Sequence, residues 1–463
     1  MKKIFSSFRD PAGFVYEEDG KIYRNVASSY KENWDVVADS GIFSELFDLG
    51  SVPDFTVKDS TDSQNYKWLE VQKIPFISYP YEWCFSQLKD AALLTLDIQK
   101  HALQYDLSLK DSSAYNVQFF EGKPVFIDLL SFERPDFNLP WVAYRQFCMH
   151  FYAPLVIMAK KGFWGGELSK LYIDGIPLET AVSMLSLKDM LNLNVWMHLV
   201  AHAKMESRHS DGRVAAKKVE KFKYSKKKIL NLVCTLREAV SALKPPVTKT
   251  EWGDYYSDTN YSSDGMEQKE SIVASFASKA ASEKKGSLSA LDVGANTGKF
   301  SRILSECFDL VLATDIDPLA VERHYREIKR LGLKKILPLV INIANPSSGI
   351  GWASCERESF GERCSVDFIT ALAVIHHLRI TAGIPLAMQA EYFHSLLNEN
   401  GTLCVEFIPK EDSQVQRMLG AREDVFHDYN EDVFIESYKQ YFSIEESLPV
   451  ENSLRKLFFM RKV

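Results

Sequence analysis

After Gly286 the chain alternates apolar strand-like runs with amphipathic helical stretches, and this alternation limits its fold more than any other feature. Leu288–Val293, Leu310–Thr314, Ile336–Ile341, Val366–Leu372 and Leu403–Ile408 read as strands. Phe300–Cys307, Ala320–Leu331 and Leu386–Leu397 read as the helices between them. Near-continuous apolar strands joined by helices specify a mainly parallel sheet covered on both faces, an α/β fold of the Rossmann-like kind.

The first strand runs into the turn Leu291-Asp-Val-Gly-Ala-Asn-Thr-Gly-Lys-Phe-Ser301, which holds Asp292, Gly294, Asn296 and Gly298. Glycines at that strand-to-helix turn let backbone pass close beneath a ligand at a topological switch point. Asp315 ends the second strand, where a carboxylate can accept hydrogen bonds from both hydroxyls of a ribose. The G-x-G-x-x-G of dinucleotide-binding proteins is absent, so the turn offers a poor pyrophosphate cradle.

This stretch resembles the class I S-adenosylmethionine (SAM)-dependent methyltransferases, over about 200 residues. The resemblance implies SAM as cofactor, with Asp292, Gly294 and Gly298 at its methionine end and Asp315 on its ribose. Asn296 stands where many members have a middle glycine, and Asn tolerates the backbone angles required. Asn342, after the third strand, stands where members often read the adenine amino group; capping its own loop is the alternative.

His376 and His377 follow the fourth strand, where members of this class place substrate-facing residues. A neutral imidazole there could take a proton from an attacking hydroxyl or amine, or simply hydrogen-bond the loop. Glu406, a carboxylate inside the apolar fifth strand, either lines the same cleft or pairs with a base. The aromatic segment 251–261, with Lys269 beyond it, reads as a linker packed on this domain or as a cover over the sulfonium.

Residues 1–245 read differently: a short antiparallel meander, helices over Tyr30–Leu49 broken near Gly41, strands near Phe55 and Trp68, and a long amphipathic helix from Phe85 to Tyr105. This is an α+β domain with a helical C-terminal part, and Lys244-Pro-Pro marks its end before a second domain at 250–463. Asp111, Asn116 and Asp128 then fall at the spacing of the catalytic loop and metal-binding aspartate of protein-kinase-like phosphotransferases. The resemblance implies an acceptor-facing Asp111 and a Mg²⁺ held by Asn116 and Asp128 on ATP. Lys110 stands in place of the usual arginine, no glycine follows Asp128, and no glycine-rich loop precedes. Arg24 takes the third-strand lysine position, with Glu45 expected as its helical partner.

The whole chain, including Ile77-Ser-Tyr-Pro-Tyr-Glu-Trp83 and the histidine pair, resembles the NoeA-related nodulation protein group of methyltransferases, which implies glycan modification. Three functions are therefore expected in order: methylation of an oxygen or nitrogen on a glycan, lipid-linked glycan or small acceptor; a bifunctional kinase-methyltransferase; and a non-catalytic SAM-sensing scaffold.

A net charge of −7 argues against a chain that coats nucleic acid. Lys204–Lys228 runs against that balance, with ten Lys/Arg and three Asp/Glu, and suits either a solvated helical face or an anionic partner. Seven scattered cysteines suggest neither disulfides nor zinc. Without a bilayer-length apolar run or a signal-peptide core, a cytoplasmic location is expected.

Overall fold

The computed structural model describes residues 1–162, 165–207, 224–246, 263–420 and 424–463. The aromatic segment 251–261 and most of the basic stretch 204–228 lie outside the described residues. The chain forms two compact units, one of Met1–Thr248 with Ile350–Arg357, the other of Lys249–Gly349 with Glu358–Val463. The excursion 350–357 differs from the sequence expectation, which kept it with the C-terminal domain. Within the first unit it is held by Glu356, which is buried and ion-paired at 2.6 Å to Arg9.

In the first unit, β1 (Lys2–Lys3), β2 (Val15–Glu18), β3 (Lys21–Ala27), β4 (Phe55–Asp59) and β5 (Asn65–Val71) make an antiparallel sheet ordered β1-β2-β3-β5-β4. Between β3 and β4 lie α1 (Lys31–Asp39) and α2 (Ile42–Asp48), separated by Gly41 at φ +85°. That left-handed angle suits glycine and ends the first helix where the sequence breaks. Next comes α3 (Phe85–Gln104), a 20-residue helix with Leu88, Ala91, Ala92, Leu96 and Ala102 buried along one face. Two short ladders follow: β6 (Ser108–Leu109) pairs with β9 (Phe132–Glu133), enclosing the hairpin of β7 (Val117–Phe120) and β8 (Lys123–Phe126). Helix α4 (Lys226–Ala242) lies against α3 through a bidentate Arg237–Asp97 pair, and Lys89 Nζ donates to the carbonyls of Ser241 and Leu243 at its C-terminal end.

The second unit begins with α5 (Ser263–Ser282) and contains a seven-stranded sheet. Its strands are β10 (Ser289–Val293), β11 (Leu310–Asp315), β12 (Ile336–Val340), β13 (Val366–Ala371), β14 (Leu397–Phe407), β15 (Phe442–Pro449) and β16 (Lys456–Lys462). Their order is β12-β11-β10-β13-β14-β16-β15, with β16 alone antiparallel to its neighbours. Helices α6 (Lys299–Cys307), α7 (Pro318–Leu331) and α8 (Leu386–Ser395) connect the parallel strands. Helix α7 shows how locally its ends are set: Asp317 caps Leu319 N–H, Pro318 opens the first turn and Gly332 closes the last at φ +65°. The core joins Val273, Phe276 and Ala277 of α5 to Ala290, Phe368 and Phe459 of the sheet.

None of the cysteines forms a disulfide among the described residues. No described helix is long and apolar enough to cross a membrane.

Candidate active site

The sheet order reverses between β10 and β13, so the crevice outside their carboxyl ends is the expected ligand position. The turn after β10 carries three left-handed residues, Gly294 (φ +72°), Asn296 (φ +49°) and Gly298 (φ +78°). At Gly298 there is no room for a side chain: a Cβ would lie 1.9 Å from Nε2 of the buried His324. At Gly294 it would lie 2.6 Å from the Val374 side chain, so the turn after β10 and the loop after β13 touch there. That loop is itself strained at Ala373 (φ +55°), an angle L-residues adopt at a cost of about 1–2 kcal/mol.

Asp315, at the end of β11, is buried beside this turn. Its oxygens accept from the backbone N–H groups of Asn296 and Asp317, both at 2.8 Å. Burial pushes its pKa up to about 6, against the lowering effect of those two hydrogen bonds. A desolvated carboxylate held by two amide donors, with lone pairs left over, is ready to accept from hydroxyls of a bound ligand.

Asp292 is placed differently. It is buried within the fold, with one oxygen accepting from Ser301 Oγ (2.6 Å) and the other from Thr370 Oγ1 (2.9 Å), so it ties α6 and β13 to β10. Asn342 is half-buried, and its Oδ1 accepts from Ala344 N–H at 3.0 Å, so it caps its own loop.

His376 is buried and its Nδ1 has no hydrogen-bond partner among the described residues. Its ring lies 4.2 Å from that of His377. Burial holds the pKa of His376 well below that of a free imidazole, helped by His377, Arg455 and Lys269. Burial alone lowers that of His377 to about 4. Both rings are therefore neutral near pH 7, the state a proton acceptor needs.

Glu406, near the end of β14, is completely buried and its Oε2 accepts from Lys269 Nζ at 2.7 Å, with Lys269 equally enclosed. A second buried pair joins Arg455 to Asp412 at 2.8 Å. Both pairs lie toward the carboxyl end of β14, a concentration of buried charge common at functional sites. Sequence reasoning noted Lys269 only as a neighbour of the aromatic segment and passed over Arg455 and Asp412. Polar residues flanking apolar strands were the available signal.

In the first unit the structure brings Arg24, Asp128, Asp111 and Asn116 into one neighbourhood. Asn116 Nδ2 donates to Asp111 Oδ1 at 3.0 Å, and burial, with Asp128 nearby, raises the Asp111 pKa. Arg24 lies 2.9 Å from Asp128 and also pairs with Asp10; Ser131 donates to the other Asp128 oxygen. The expected Arg24–Glu45 pair is corrected. Glu45 instead accepts from Tyr105 Oη at 2.7 Å and meets His101 at 2.6 Å, while two other carboxylates hold the Arg24 guanidinium.

A parallel sheet with one antiparallel strand set between its last two members, and a buried strand-end carboxylate beside a left-handed turn at its switch point, define the class: a Rossmann-like α/β protein. No protein-family model matches the chain. It is 31% identical over 464 residues to nodulation protein NoeA of Rhizobium meliloti (strain 1021), covering 98% of this chain and 95% of that protein, and it belongs to the NoeA family. Solved structures similar to part of the chain include the N-methyltransferase NodS from Bradyrhizobium japonicum WM9 with S-adenosyl-L-homocysteine (14% identity, 46% of this chain and 93% of that one, TM-score 0.33). Another is magnesium protoporphyrin IX methyltransferase from Synechocystis PCC 6803 (16%, 46% and 92%, TM-score 0.33).

Proposed function

We propose that the second unit binds SAM at the Gly294–Gly298 turn and directs its methyl group to an oxygen or nitrogen of a glycan, lipid-linked glycan or small-molecule acceptor. The observation that carries this reading is Asp315, a buried carboxylate with amide partners beside the left-handed turn at the switch point. When bound, SAM supplies an electrophilic methyl sulfonium. Asp315 receives the ribose hydroxyls, Gly294 and Gly298 hold the turn in its left-handed course at the methionine end, and Asn342 Oδ1, which accepts from Ala344 N–H, offers its second lone pair to the adenine amino group. Asp292 keeps the turn rigid through Ser301 and Thr370. His376, or His377 beside it, accepts the proton released by the acceptor hydroxyl or amine, which neutral imidazoles can do at pH 7. Lys269, which is paired with Glu406, helps burial, His377 and Arg455 to keep His376 neutral.

The first unit is read as kinase-like, with the β6–β9 and β7–β8 ladders bracketing Asp111, Asn116 and Asp128, and with the role of binding and orienting the acceptor. Asn116 and Asp128 are the residues that would hold Mg²⁺, but they do not fit that ion as they stand. The Arg24 guanidinium already neutralises Asp128, and among the described residues no cluster of three or more His, Cys, Asp or Glu is arranged to hold a metal. A bifunctional kinase-methyltransferase would require Mg-ATP to draw Arg24 away from Asp128.

Thermal shifts with SAM, S-adenosylhomocysteine, NAD⁺ and Mg-ATP test both parts. A ligand at 100 times its dissociation constant stabilises by about 2.7 kcal/mol. Stabilisation by SAM that is lost in Asp315→Ala is expected; stabilisation by NAD⁺ but not SAM would overturn the reading. A Mg-ATP response lost in Asp128→Ala would favour the bifunctional enzyme.

A further inference from the structure

We infer that His324 is a positioning residue for the cofactor turn: its ring, presented by α7, supports Gly298 in its left-handed course and keeps any side chain out of that position. The inference rests on the reading of this turn as a SAM site. His324 lies in the middle of α7, is 1% exposed, and aims the Nε2 edge of its ring at Gly298. A Cβ on Gly298 would lie 1.9, 2.2 and 2.3 Å from Nε2, Cε1 and Cδ2, so only hydrogen fits in that direction.

The turn is fixed residue by residue. Thr314 O accepts from the N–H groups of Gly294 and Ala295 at 2.8 and 2.9 Å, and Asp315 accepts from Asn296 N–H at 2.8 Å. Arg302 of α6 donates to Thr297 O at 3.2 Å. Gly298, which opens α6 without a side-chain cap, is left to the His324 ring. The serine, threonine or aspartate usual at the start of a helix is thereby excluded. Histidine is a costly choice for this place. Its Nε2 is buried and has no hydrogen-bond partner among the described residues, a penalty that leucine or methionine would avoid. Burial, with Arg302 nearby, lowers its pKa to about 3, so the ring is neutral at pH 7 and acts through its shape and the Nε2 edge it turns to Gly298. A buried polar ring that costs stability, set against a turn residue that admits no side chain, is explained by the geometry of that turn and not by the stability of the core.

Calorimetric titration of the full chain with SAM and S-adenosylhomocysteine, alongside melting temperatures, tests the inference. His324→Leu keeps a side chain in the core and removes the unpartnered nitrogen, so its melting temperature is expected to match or exceed that of the wild type while affinity falls by at least about tenfold. His324→Gln, whose amide reaches the place of Nε2, is expected to bring affinity back to within about threefold of the wild type. Gly298→Ala is expected to weaken binding by at least about a hundredfold, and Gly298→Ala/His324→Ala to bind about tenfold better than Gly298→Ala, because the methyl group then has room and only backbone strain remains. Wild-type affinity in His324→Leu overturns the inference, as does a Gly298→Ala defect that His324→Ala leaves unrelieved. Should His324→Leu lose stability and affinity together, that Gly298→Ala pair decides. A wild-type chain that binds neither SAM nor S-adenosylhomocysteine overturns the reading of the site itself, and this inference with it, whereas the variant outcomes overturn the inference alone.

Discussion

The two units each present aspartates at the end of a strand or ladder, yet they treat these carboxylates in opposite ways. In the first, Asp128 meets an arginine and a hydroxyl of its own chain, so its charge is already balanced. In the second, Asp315 is more deeply enclosed, receives two amide N–H groups and, among the described residues, meets no cation. Burial raises its pKa to about 6, which means the folded chain bears the cost of a desolvated carboxylate. A carboxylate balanced by its own protein is finished structure, whereas one left short of donors is complementary to a ligand that brings them. The second unit also contains its own control, since Glu406 is buried even more completely than Asp315 but is paired with Lys269.

The largest effect that would sharpen this contrast is expected at that control. Lys269→Met strands a fully buried carboxylate and should destabilise the second unit by about 3–5 kcal/mol in chemical denaturation, while Lys269→Met/Glu406→Gln recovers most of the loss. An equal loss in the double variant would mean that Lys269 acts through its ammonium over the Phe300 ring, 5.2 Å from the centroid, and not through Glu406. Next, Arg24→Met removes the shared cation of Asp10 and Asp128. Because both carboxylates retain some solvent, a smaller loss of about 2–3 kcal/mol is expected in the unfolding of the first unit.

Asp315→Asn should lose less stability than Lys269→Met, because removing the desolvated charge offsets the one backbone N–H, of Asn296 or Asp317, that then meets an amide NH2 in place of an oxygen; SAM affinity should fall by about thirtyfold in calorimetry, since an amide accepts less strongly than a carboxylate. A stability loss as large as that of Lys269→Met would break the comparison. The smallest effect is a pH dependence. The folded pKa of Asp315 lies above its unfolded value, so its unfavourable contribution to apo stability is absent below about pH 4 and grows as pH rises through about 6. Ribose hydroxyls favour the ionised form, so SAM affinity should weaken by about tenfold from about pH 8 to about pH 5, and Asp315→Asn should flatten the profile.

The sequence by itself determined the elements whose causes are local. Apolar runs broken by turn residues specify β10 to β14 and the helices between them, Gly41 separates α1 from α2, and the spacing of Asp292, Gly294, Gly298 and Asp315 marks the switch-point turn. Each of these depends on periodicity, on a left-handed backbone angle or on the end of a strand, all written within a few residues. The antiparallel pair β15 and β16 was not read, although 442–448 alternates and 457–460 is continuously apolar, because their place beside β14 is settled by pairing across the sheet.

Only the tertiary structure decided which charged groups meet. Glu406 finds Lys269 from α5, 137 positions away, and Arg24 finds Asp128 and Asp10 where the sequence suggested Glu45. It also decided that Gly298 is required by the His324 ring beneath it, and that 350–357 packs with the first unit. The physical reason is common to all four. A strand or helix follows from neighbours along the chain, whereas the partner of a buried charge follows from what the packed core brings within about 3 Å, a distance that sequence separation does not encode.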